Sequence, residues 1–156
     1  PVLRQLLAHE QDRIRTAAMQ ALAALPGGLQ PKELLQLLQT GNAEQQLAAA
    51  HVLRRMDDPA GLSAVLSLAR TAGPHQAEAV RVLAGFRCRD AVEPLLAALD
   101  APAVPVRQAA WNGLQPLLRD LFPYRRFAFE TAGYDPNATD RTTGLQTLRA
   151  WWAAVR

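Results

Sequence analysis

The sequence predicts an all-α chain, about four antiparallel helical hairpins stacked as an α-solenoid and closed by a C-terminal capping helix. Three observations carry that expectation. One segment recurs at a nearly constant spacing, the apolar residues of each copy follow a helical period, and turn-forming residues fall between the copies.

Four stretches align: residues 12–25 (DRIRTAAMQALAAL), 43–56 (AEQQLAAAHVLRRM), 73–86 (GPHQAEAVRVLAGF) and 104–117 (VPVRQAAWNGLQPL). Their alanines Ala18, Ala49, Ala79 and Ala110 lie 31, 30 and 31 residues apart. In the first copy Ile14, Ala17, Ala18, Ala21, Leu22 and Leu25 form one stripe of an amphipathic helix. A leucine-rich segment precedes each copy, and its markers Leu7, Leu38, Leu68 and Leu99 repeat the same 31, 30 and 31 offsets. Two helices per period, joined by a few residues, must run antiparallel. Breakers stand between them at Pro26-Gly27-Gly28, Gly41-Asn42, Asp58-Pro59, Gly73-Pro74 and Ala101-Pro102. One hairpin cannot bury its own stripe, so stacking must supply the core.

These marks place the repeats at about 1–27, 28–57, 58–88 and 89–120, within a single structural domain. Residues 121–138 then read as an aromatic-rich connector, because they hold no helical period and contain Gly133 and Asp135-Pro136. Residues 139–156 read as a capping helix, started by Thr139 or Asp140 and carrying Leu145, Leu148, Trp152 and Val155 on one stripe. Eight of the nine aromatic residues lie beyond position 110. An open-ended stack exposes the apolar face of its last repeat, which large rings cover economically. The alternative is that those rings line a binding pocket, since Trp, Tyr and Arg dominate interaction hot spots.

Composition excludes several classes. Of 17 basic residues only Lys32 is lysine, and the net charge is only +3. Asp57, Asp58, Glu78, Asp90 and Asp100 are interspersed with the arginines, whereas a nucleic-acid footprint needs basic residues gathered on one face. Cys88 is the only cysteine, which rules out an internal disulfide and a cysteine-built zinc cluster. No run reaches the roughly 20 apolar residues of a membrane span. The chain starts at Pro1 with a helical pattern already under way, so a piece of a longer protein is expected, its first hairpin exposing Val2 and Leu6.

The pattern Arg15-Thr16-Ala17-Ala18 followed by Ala21-Leu22, and again Arg107-Gln108-Ala109-Ala110 followed by Gly113-Leu114, resembles bacterial HEAT repeats. The likeness covers residues 1 to about 120 and includes the short variety first noted in phycobilisome lyases. It implies a right-handed superhelix with second helices along the concave side, and a scaffold or binding protein. The tail, with Gly133-Tyr134-Asp135-Pro136 and Trp151-Trp152, resembles one found at the ends of many bacterial HEAT arrays. There are departures. The arginine position reads Arg15, Gln46, Gln76 and Arg107, which predicts a polar ladder between repeats interrupted in the middle.

The histidines are the first candidates for chemistry. His75 and Glu78 are three residues apart and share a helix face, but two ligands fall short of the three or more that a protein metal site needs. HEAT-like hydroxylases carry repeated His-Glu pairs on successive second helices, and here only His9-Glu10 occurs. The expectation is a non-enzyme with no cofactor and no metal. In the repeat phase the concave wall would present Gln20, His51, Arg81 and Asn112, with Ala23, Arg54, Ala84 and Gln115 beside them and Arg55 nearby. Such a strip suits an acidic segment of a protein partner, through arginine's planar fork. Trp111, off the main stripe, would meet either the tail or that partner. Two alternatives remain: a nucleic-acid-binding HEAT-like domain, as in the alkylpurine glycosylases, and a regulatory or lyase-accessory domain of a larger enzyme.

Overall fold

The computed structural model describes residues 2–156 except Ala8, Glu10, Pro26 and Gly27, and leaves the side chains of Asp12, Thr16, Ala23 and Ala24 undescribed. Pro1, the Pro26-Gly27 breaker, Glu10 of the His9-Glu10 pair and the Ala23 side chain therefore lie outside the described residues. The rest is all-helical, without a strand. In chain order the helices are α1 (Val2–Leu6), α2 (Asp12–Ala24), α3 (Pro31–Thr40), α4 (Ala43–Arg55), α5 (Gly61–Arg70), α6 (Gln76–Gly85), α7 (Val92–Ala98), α8 (Val104–Leu121) and α9 (Thr142–Val155). Single 3-10 turns occupy Arg89–Ala91 and Phe129–Thr131. The chain divides into two compact units, Pro1–Leu68 and Ala69–Arg156, so the boundary falls within α5.

In the first unit α1 pairs with α2, α3 pairs with α4, and the second helices α2 and α4 pack on each other. Met19, Leu22, Leu29, Leu34, Ala48, Ala49, Val52 and Leu53 form the core, with Leu3, Leu37 and Leu38 packed around it. Each leucine withdrawn from water in this way contributes about 1.5–3 kcal/mol. Val2 is exposed and Leu6 half-buried. Helix starts are chemically marked. Pro31 takes the first turn of α3, and Glu33 reaches back 2.8 Å to accept the Gln30 N–H. That hydrogen bond and the Arg4 guanidinium at 2.7 Å hold the Glu33 carboxyl below its usual range. Asn42 and Gln45 form a reciprocal capping box at α4.

The second unit packs α8 against both α6 and α7. The marker alanines Ala79 and Ala110 are fully buried. Gly113 brings α8 so close to α6 that a Cβ placed there would stand 2.4 Å from the Ala84 Cβ. Helix α8 runs to Leu121, beyond the repeat segment ending at 117. Its Pro116 is exposed, so the missing ladder bond falls on the wet side, while Leu117 and Leu118 keep the buried stripe going.

The polar position of the repeat behaves differently from the ladder expected. Arg15 donates to the His9 carbonyl, Gln46 to Leu38 at 3.1 Å, Gln76 to Ala69 at 3.0 Å and Arg107 to Ala101 at 2.8 Å. Every acceptor lies near or just past the end of the preceding helix, where carbonyls lack helical partners. The position ties a helix back to the end of the one before it, through a glutamine amide in two cases and a guanidinium in the other two. The turns after α4 and α6 also match: Asp57 and Arg87, 30 residues apart in sequence, both adopt left-handed backbone, with φ of 57° and 49°. Behind Asp57 the Asp58 N–H reaches the Leu53 carbonyl at 2.9 Å, a Schellman closure.

Candidate functional site

The candidate surface residues fall on second helices of both units. In the first, Gln20 is exposed on α2, His51 and Arg54 are half-buried on α4, and Arg55 is exposed. Arg54 and Arg55 sit in the last turn of α4, where the helix dipole favours cations. In the second unit the structure brings Arg81, Ala84 and Asn112 together, as the repeat phase requires. They border a hollow of about 330 Å³ between α6 and α8, completed by Pro105, Gln108 and Gly113. The repeat phase did not single out Pro105 or Gln108. Gln108 lies one turn and Pro105 two turns N-terminal to Asn112 on α8, and helical spacing could have found them.

Polar groups rim the hollow. Arg81 pairs with Glu78 one turn back on α6, and both side chains are more than half exposed, so solvent screens the pair. A partner carboxylate can therefore compete with Glu78 for the guanidinium. Proline at position 116 has no N–H to offer the Asn112 carbonyl, which leaves a main-chain acceptor on this stretch of α8. His75, by contrast, occupies the N-cap position of α6, and its expected companion Glu78 is turned to Arg81. Among the described residues no three His, Cys, Asp or Glu side chains gather as a metal site would require.

Trp111 is taken up by the tail. Its ring lies 5.3 Å from Phe129, edge to face, and 4.7 Å from Tyr134. Tyr134 is buried and donates its hydroxyl to the Leu99 carbonyl at 2.7 Å. Burial pushes this phenol up to about 12, against the opposing pull of the Arg141 and Arg107 charges. Arg107, only 5% exposed, donates to Pro102 at 2.6 Å as well as to Ala101, and through Nε to the Pro136 carbonyl at 2.7 Å. The fourth of these ties thereby also tethers the Gly-Tyr-Asp-Pro segment.

The final helix completes the packing. Leu145, Leu148 and Trp152 are buried, and Trp152 Nε1 donates to Glu93 of α7 at 2.6 Å. The helix begins at Thr142 with Arg141 at its N-cap, so neither Thr139 nor Asp140 holds the cap position itself. The Asp140 carboxylate, one residue earlier, accepts the Thr142 N–H at 3.0 Å, and that bond holds its carboxyl below the usual range. Gly144 lies where any Cβ would stand 2.6 Å from the Tyr134 backbone. Rings that were candidates for a pocket are thus spent largely on one another and on α7.

No helix of the described residues is long and apolar enough to cross a membrane. Comparison with protein-family models, curated proteins and solved structures finds no match to this chain.

Proposed function

We propose that this chain is a HEAT-like, right-handed α-solenoid of four hairpins with a C-terminal cap, and that it is a non-catalytic scaffold binding an acidic segment of a protein partner along its second helices. The 31, 30 and 31 spacing and the four equivalent ties to a preceding helix end support the repeat reading. The observation that carries the binding reading is the α6–α8 hollow, where Arg81 and Asn112 offer donors around an alanine and glycine floor, beside Gln108, whose amide already donates to Asn137 at 2.8 Å. Such a surface fits an extended chain whose carboxylates meet guanidinium and amide donors while its small side chains enter the hollow. In the first unit the same repeat phase gives Gln20, His51, Arg54 and Arg55 as the corresponding positions.

The test is fluorescence anisotropy with a labelled peptide of Glu, Asp and Leu residues. Saturable binding is expected, weakened about tenfold by Arg81→Ala combined with Asn112→Ala, the loss of one well-placed charged contact and one amide. Binding unchanged in that variant would remove the hollow as the site. Tighter, salt-sensitive binding to duplex DNA would replace the protein partner by nucleic acid.

A further inference from the structure

The stretch FPYRRF, residues 122–127, is a surface turn with an aromatic ring at each end. Its two phenylalanines are pinned inward. Phe122 meets Trp151 and Trp152 edge to face at 5.6 and 5.7 Å. Phe127 meets Phe129 at 5.0 Å and the same Trp151 at 5.4 Å. Between these anchors the backbone is closed by the Arg125 N–H on the Phe122 carbonyl at 3.2 Å, and Arg126 Nε returns to the Pro123 carbonyl at 3.3 Å. Pro123 removes a further rotation.

What the anchored turn displays is Tyr124, 99% exposed, with Arg125 and Arg126 beside it. Neither arginine, nor Arg119 in the last turn of α8, has a carboxylate within ion-pair distance among the described residues. The local acid Asp120 is engaged by Arg87, and Glu130 pairs with none of the three. An apolar core has been spent on holding rigid a turn whose outward face is one aromatic ring and unneutralised guanidinium groups. Rigid presentation lowers the ordering cost of association, and tyrosine and arginine are, with tryptophan, the residues enriched at interaction hot spots.

We propose that residues 123–126 are a preformed docking element for an acidic protein segment, Tyr124 covering an apolar side chain of that segment while Arg125 and Arg126 take carboxylates on either side. Charge complementarity names the occupant: the turn offers cations without internal partners, and isolated acids such as Glu130 and Asp120 in the same region disfavour a continuous phosphate backbone. The element is separate from the α6–α8 hollow. It rests on the proposed function only for the class of partner.

The experiment uses the full chain and the same labelled acidic peptide, with a single-stranded oligonucleotide of equal charge as the competing probe. Tyr124→Ala is expected to weaken the peptide about tenfold, Tyr124→Phe to retain most of the affinity, and Arg125→Ala with Arg126→Ala to remove most of the salt dependence. Because these side chains are exposed, circular dichroism and the unfolding midpoint stay at wild-type values. Peptide binding that responds to Arg81→Ala but not to the turn variants overturns this proposal and leaves the hollow standing. Response to the turn variants alone supports it and removes the hollow. No saturable peptide binding overturns both, and an oligonucleotide that binds more tightly and is lost with Tyr124→Ala replaces the acidic segment by nucleic acid.

Discussion

Replacing Arg107 by alanine and, separately, by glutamine divides its two tasks. The side chain is 5% exposed and gives three hydrogen bonds, to the carbonyls of Ala101, Pro102 and Pro136, at 2.8, 2.6 and 2.7 Å. A bond from a charged donor contributes about 1.5–3 kcal/mol, but the partly buried carbonyls of Pro102 and Pro136 regain water when the guanidinium leaves, so Arg107→Ala should cost about 3–5 kcal/mol rather than the full sum. Glutamine already fills the equivalent position twice, as Gln46 and Gln76, each holding one carbonyl. Arg107→Gln should therefore keep the tie to the end of the preceding helix, lose the tether to Pro136, and cost about 1–3 kcal/mol. Urea unfolding followed by tryptophan fluorescence measures this, since Trp111, Trp151 and Trp152 all lie in the second unit. A glutamine variant as unstable as the alanine variant would refute the single-carbonyl tie, and an alanine variant with the wild-type midpoint would refute the tether altogether.

Three further outcomes follow from the same contacts. Gly113→Ala should destabilise by about 1–3 kcal/mol through its clash with Ala84, outweighing the helix propensity gained, and Ala84→Gly in the same chain should recover most of the loss in urea midpoint. Arg87→Gly should raise the midpoint slightly, because relief of the left-handed backbone at φ 49° exceeds the loss of its exposed ion pair with Asp120. Tyr134 binds its proton more tightly folded, at about 12, than unfolded, at about 10, so its contribution is intact below pH ~10 and is lost as pH rises to about 12. Tyr134→Phe should flatten that alkaline decline while lowering stability near neutrality by about 1–2 kcal/mol for the hydrogen bond to Leu99.

The helices were legible because a repeat states its own period: the marker alanines that set the offsets are the residues buried at the helix contacts, Ala49, Ala79 and Ala110 being fully inaccessible. The buried stripe of the last helix, outside the repeats, was legible from its helical spacing alone. What a period cannot give is the direction of a polar side chain. Arg15, Gln46, Gln76 and Arg107 were visible as one position, yet a sequence does not show that each turns back to the carbonyls near the end of the preceding helix. The run of α8 past the 104–117 segment to Leu121 was equally hidden, since no other copy of the repeat continues that far. At the candidate surface the neighbourhood of Arg81 and Asn112 followed from phase alone, whereas the Glu78 pair that occupies Arg81 needed rotamers. Tyr124 carried no period, and its exposure emerged only once the flanking rings were seen to be anchored.

The central claim is that the face of α6 and α8 around Arg81 and Asn112 receives an acidic protein segment. Isothermal titration calorimetry of the Glu, Asp and Leu peptide into the full chain, beside the chain carrying Arg81→Ala and Asn112→Ala, measures it directly. Saturable binding that weakens about tenfold in the double variant is the predicted result. Equal affinity for both chains would contradict the claim.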